Sequence, residues 1–134
     1  MLNHASGTFN VKLSPQESIA FGEGSFGRLL LDKTFQGDLA GTSTGTMLSF
    51  RIPYNGGAAY VAIELVTGEL HGRSGTFVLR HSGAMRRDEQ SLEINVVPGS
   101  GTAELEGLSG TFTIINQGKQ HLYEFAYELG VGVE

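Results

Sequence analysis

The chain has 134 residues, 20 glycines against 3 prolines, no cysteine and a formal net charge of −5. That length fits a single domain over residues 1–134 with a core that needs no staples, and the missing cysteines exclude disulfides and thiolate metal sites and make a reducing cytoplasm the expected compartment. An acidic balance without a Lys/Arg stripe argues against nucleic acid as a partner.

At the N-terminus, MLNHASGTFN has neither a cationic leader nor an apolar h-region. Alternating apolar residues predict a first strand over 5–13, opening on SGTF at 6–9. Residues 15–24 read as a variable loop, with at most a helical turn in QESIAFG (16–22), and GEGSFG (22–27) reads as a turn. Strands follow over 26–36, 44–52 and 59–68, the second opening on TGTM at 44–47. SGTF returns at 74–77 ahead of a strand over 75–81, and Arg86-Arg87-Asp88-Glu89 reads as a solvated turn. A strand over 91–97 leads into the turns of PGSGTAELEG (98–107). SGTF at 109–112 then opens a strand over 111–116, and HLYEFAYEL carries the last strand, 120–129, with Tyr123, Phe125, Tyr127 and Leu129 on one face. No window approaches about 18 apolar residues, so no membrane partner is expected. The two glycine-rich phrases lack the lysine and the strand–loop–helix setting of a phosphate cradle.

The phrase is part of a longer repeat, because LHGRSGTFVLRHSG (70–83) overlays LEGLSGTFTIINQG (105–118) at an offset of 35. Each copy reads as a turn feeding a strand, glycine supplying positive φ or a tight bend, and each interval holds two strands. Four copies make eight strands. With no helix to cover an edge, the expected fold is all-β: a closed eight-stranded antiparallel up-and-down barrel with little or no helix.

The segments DKTFQGDLAGTS (32–43), GELHGRSGTFVLRHSG (68–83), VVPGSGTAELEGLSG (96–110) and GKQHLYEFAYEL (118–129) resemble a bacterial family catalogued as domain of unknown function 3224. The likeness runs from 6 to 129 and departs most at 15–24. It implies an allene-oxide-cyclase-like barrel, calycin-like and related in shape to lipocalins. It carries no activity or catalytic residue, and fold alone transmits no chemistry.

Parity from the repeated aromatics places side chains. Phe9, Val11 and Leu13 point inward on the first strand, Phe77, Leu79 and His81 on the fifth, and Phe112, Ile114 and Asn116 on the seventh. On the third, parity from Met47 turns Ser49 and Arg51 inward, whereas Leu48, Phe50 and Ile52 look like a core face, and the sequence leaves both registers open. Four residues above the SGTF turns is about 13 Å up the barrel. His81, Asn116 and Arg51 are expected at that height, joined by His121 and Tyr123 at the start of the last strand. The SGTF end is then closed and apolar, with a polar mouth opposite.

Lys33 shares parity with Leu29, Leu31 and Phe35, and an inward lysine needs a carboxylate, for which Glu64 is the candidate. The candidate ligand-binding residues are therefore His81, His121, Tyr123, Asn116, Arg51, Glu64 and Lys33. Imidazoles there suit acid–base work, but a hydrogen-bonded rim histidine is the plainer account, as a core tyrosine with a wetted hydroxyl is for Tyr123 and Tyr127. A metal site from the two histidines and Glu64 lacks a short-spaced ligand pair, so neither metal nor cofactor is expected. The residues favour a non-enzymatic barrel holding a small apolar or amphipathic molecule. The alternatives are an isomerase or cyclase of allene-oxide-cyclase type, and an oligomeric structural or interaction protein with a filled barrel. Val61, Ile63 and Leu65 alternate with Tyr60, Ala62 and Val66, and a strand apolar on both faces favours a homo-oligomer.

Overall fold

The computed structural model of the chain describes residues 2–130. Its strands are β1 (Asn3–Phe21), β2 (Gly24–Gly37), β3 (Leu39–Ile52), β4 (Gly57–Leu70), β5 (Arg73–Arg86), β6 (Glu89–Val96), β7 (Leu108–Gln117) and β8 (Gln120–Leu129), with a 3-10 turn at Ala103–Leu105. They pair antiparallel in chain order, and β8 returns to β1 to close the barrel. Closure gives every strand a neighbour on both sides and removes the edges that eight short strands would otherwise expose.

Most strands outrun the sequence expectation, and the largest correction concerns residues 15–24. Residues 15–21 are strand with no helical turn, and only residues 22–23 form a turn. β1 continues to Phe21, with a register shift between Pro15 and Ser18 and then pairing of Ile19 with Phe26. Proline cannot donate to the ladder, so the irregularity falls where a donor is missing. Residues 15–21 are exposed on both faces, so no period-two burial pattern marked them as strand.

The SGTF phrase is also not a turn. It lies inside β1, β5 and β7, and its glycines have no positive φ. What they supply is space. A Cβ on Gly7 would lie 2.0 Å from the Gln36 carbonyl oxygen and 2.6 Å from the Tyr123 hydroxyl. One on Gly75 would lie 2.2 Å from the Thr102 carbonyl oxygen. The phrase repeats because each copy lets a neighbouring backbone approach and then sets an aromatic into the core: Phe9, Phe77 and Phe112 are all buried. The positive-φ work is done instead at turns such as His71-Gly72, where both residues have φ > 0 as a two-residue hairpin requires.

Those aromatics build the floor. Phe35, Phe112 and Tyr123 pack edge-on or stacked, and Phe77, Phe125 and Tyr127 continue the cluster. The 3-10 turn plugs this end with Leu105, fully buried, and is held by Thr102 N donating to the Thr76 carbonyl at 2.9 Å. The open register of β3 is resolved by unbroken pairing with β2 and β4: Met47, Ser49 and Arg51 face inward and Leu48 and Phe50 outward, while Ile52 at the strand end borders the mouth cavity. Phe50 packs on Phe26 of the outer wall, with ring centroids 4.6 Å apart.

The wall is uneven. β1 to β5 have 14 to 19 residues, whereas β6 to β8 have 8 to 10. β6 and β7 share a single registered pair, Asn95 with Thr111, reinforced by Thr111 Oγ1 donating to Asn95 Oδ1 at 3.0 Å.

Candidate functional site

Four adjacent strands each bury one polar side chain inside the barrel: Lys33 from β2, Ser43 from β3, Glu64 from β4 and His81 from β5. Lys33 pairs with Ser43, Glu64 with Gly45 and His81 with Ala62, so the residues climb in register from strand to strand. In a barrel of tilted strands that climb keeps them at one height. Glu64 is the hub. Its Oε1 is 3.2 Å from Lys33 Nζ and 2.6 Å from His81 Nε2, and Ser43 Oγ donates to its Oε2 at 2.5 Å. Lys33 Nζ also lies 5.0 Å from the centroid of the Phe9 ring, within cation–π range.

Burial alone would raise the Glu64 pKa, because a low-dielectric interior disfavours the anion. The His81 hydrogen bond, the Lys33 charge and the Ser43 hydroxyl outweigh that cost and bring it down to about 2. Glu64 is therefore a carboxylate, balanced by Lys33. The same negative charge, after burial itself, raises the Tyr60 phenol above its ordinary value.

Directly above this layer the barrel is hollow. A cavity of about 600 Å³ occupies the mouth, its wall including Leu29, Met47, Arg51, Tyr60, Met85 and Leu92. Tyr60 forms part of its floor. The Tyr60 ring rests against Gly83, where a Cβ would come within 2.5 Å of it, and its centroid is 6.4 Å from that of His81.

The expected site residues divide into three groups. Lys33, Glu64 and His81 come together in the layer beneath the cavity, and Arg51 lines the cavity itself. Asn116 and His121 form a separate pair, with Nδ1 2.7 Å from Oδ1 and the imidazole stacked on Phe9 at 5.2 Å. Tyr123 is not at the mouth. Its hydroxyl accepts from Leu39 N at 2.8 Å at the floor, beside the β2–β3 turn, and has carbonyl partners at Gln36 and Leu39. Its ring crosses the barrel toward the turn, a direction that strand height alone does not give. Nor is that hydroxyl wetted: burial raises its pKa, with a smaller opposing effect from its Leu39 bond. Tyr127 meets His71, its hydroxyl 2.5 Å from Nδ1.

Sequence reasoning missed Ser43 and Tyr60. Ser43 lies in a run of small polar residues, TSTGT, that reads as solvated, and inward parity from Met47 was the signal that would have found it. Among the described residues no three His, Asp or Glu converge as a metal-ligand set, and no helix is long and apolar enough to cross a membrane.

The family model described as "Protein of unknown function (DUF3224)" matches residues 5–127. A crystal structure of a protein with unknown function from the DUF3224 family of Shewanella oneidensis MR-1 superposes with a TM-score of 0.93 at 44% identity, covering 98% of this chain and 100% of that one. No curated protein matches the chain.

Proposed function

The chain belongs to the DUF3224 family, and from that starting point we propose that its barrel binds a small apolar or amphipathic molecule in the mouth cavity. The observation that carries this reading is the contrast between a floor filled by aromatic rings and a hollow of about 600 Å³ at the other end. That volume lies in the range of small-molecule sites, and the wall has the composition such sites use: mostly apolar groups with a few polar ones. Arg51 at the rim suits the anionic end of an amphipath, its guanidinium fork matching a carboxylate. Titration with 8-anilinonaphthalene-1-sulfonate tests the reading. One site per chain is expected, lost when Met47→Trp fills the hollow and weakened in Arg51→Ala. Binding that is indifferent to Met47→Trp overturns it.

The buried Glu64–His81 pair favours a second reading, an isomerase or cyclase of allene-oxide-cyclase type in the same cavity. A cytoplasmic setting rests on the absence of cysteine.

The outer wall supports self-association. Leu48, Val61, Ile63 and Leu65 are about half exposed and stand side by side on β3 and β4. Asp32 flanks this stripe on β2 and Arg80 flanks it on β5, beside Ile63. A two-fold axis along the β3–β4 boundary lays β2 of one copy over β5 of the next and brings Asp32 toward Arg80. The geometry suits an isologous dimer. Sedimentation of Ile63→Lys should give the 14.3 kDa monomer; a monomer in the unaltered protein at high concentration removes the dimer.

A further inference from the structure

His81 is 4% exposed, and its hydrogen bond to Glu64 uses Nε2. Among the described residues no buried side-chain nitrogen or oxygen lacks a partner. Nδ1 makes no hydrogen bond of its own, and the ring is not part of the cavity wall, from which Tyr60 separates it. A carboxylate only accepts, so Nε2 carries a proton, and whenever the imidazole is neutral the lone pair is on Nδ1. Lys33 and Ser43 hold the carboxylate that fixes this tautomer. The groups facing the ring are thus one anion, one cation already paired with it, and the Tyr60 phenol. Ser43 donates to Glu64 rather than to His81, so the cluster contains no nucleophile–base pair. Proton transfer is the chemistry it can do.

Resting on the cavity reading, we propose that His81 is the proton acceptor of the cavity, taking a proton at Nδ1 from a small amphipathic carbonyl compound whose adjacent C–H is acidic. Glu64 is its positioning residue. The C–H bond breaks, the proton passes to Nδ1, and the electron pair moves onto the carbonyl oxygen as an enolate. The imidazolium formed is stabilised through Nε2–H by Glu64. In a β,γ-unsaturated carbonyl compound the pair extends to the γ-carbon, and return of the proton there yields the conjugated isomer, with no oxidant or second reactant. Tyr60 stands between cavity and base, so its ring has to turn aside for a substrate to reach Nδ1. Its ring lies on Gly83, two residues above His81 on the same inner face.

The test uses 1-bromo-2-undecanone, whose alkyl chain fits an apolar cavity and whose bromide is displaced by an imidazole lone pair. Mass spectrometry of the unaltered protein should find alkylation at Nδ1 of His81 ahead of the exposed His4, and Tyr60→Ala should speed it. Glu64→Gln should slow it about 10- to 100-fold, as loss of an orienting carboxylate does elsewhere. Nitrogen-15 spectra of the imidazoles give a readout that needs no variant: the neutral form of His81 should be the Nε2–H tautomer. An Nδ1–H tautomer overturns the proposal. So does an unmodified His81 in a protein that still takes up 8-anilinonaphthalene-1-sulfonate, leaving the cavity reading intact; failure of both probes removes both readings.

Discussion

The two ends of the barrel use the same strands differently. At the floor, residues of the repeated phrase and of β8 fill the interior with rings, and the Tyr123 hydroxyl is matched to backbone groups of the β2–β3 turn. At the mouth the same strands keep facing inward, but with Met47, Ser49, Arg51, Tyr60 and Gly83, which leave a hollow. Between the two ends lies the charged layer of Lys33, Glu64 and His81. A charge costs much to bury and little to leave in water, so its place beneath an open cavity marks a boundary between packing and recognition.

The comparison is broken most strongly at the floor. Phe77→Ala or Phe112→Ala should lose about 3–5 kcal/mol in urea unfolding, whereas Met47→Ala at the cavity should lose less than about 1.5. Equal losses at both ends would show that the mouth is as tightly packed as the floor. In the charged layer, Glu64→Ala should lose about 3 kcal/mol or more, because it strands Lys33 in the interior. Replacing both, with Lys33→Met and Glu64→Leu, should recover most of that loss. A double variant as unstable as the single would mean the pair is needed for the fold itself.

Acid titrates the same layer. The Glu64 pKa is lowered from 4.5 to about 2 in the folded chain. A group with a depressed folded pKa contributes stability that is fully present above its unfolded value and lost as pH falls through the folded one. Stability should therefore fall by roughly 3 kcal/mol between pH 4.5 and about 2, a component that thermal melts of Glu64→Gln should lack. At the smaller end, Tyr123→Phe leaves the Leu39 amide without its acceptor and should lose about 1–3 kcal/mol. Arg51→Ala at the exposed rim should stay within about 0.5 kcal/mol while changing only what the cavity binds.

Much of the fold was legible in the residues. The four phrases and the period-two runs lead to eight strands and to inward Phe9, Phe77, Phe112 and His81, because alternation is a local property. Lys33 was found by parity, and Glu64 by the need for a partner. The conformation of the phrase was not legible. Glycine is compatible with both a turn and a close approach, and only the Gln36 and Thr102 carbonyls, far away in sequence, decide between them. The β3 register stayed open because its outer face is as apolar as its inner one: Leu48 and Phe50 lie against Val61 and Phe26.

The sequence by itself determined which faces of the strands could be buried and that the chain had to close its edges, since both follow from spacing along one strand. It also determined that an inward lysine would need an anion. Only the tertiary structure decided that Ser43 and His81 meet on Glu64, and that Tyr123 reaches to the floor while Tyr60 roofs the charged layer. It alone left the mouth hollow. These depend on strand stagger, ring direction and the unequal heights of the wall, and such quantities arise only when strands distant in the chain are laid side by side.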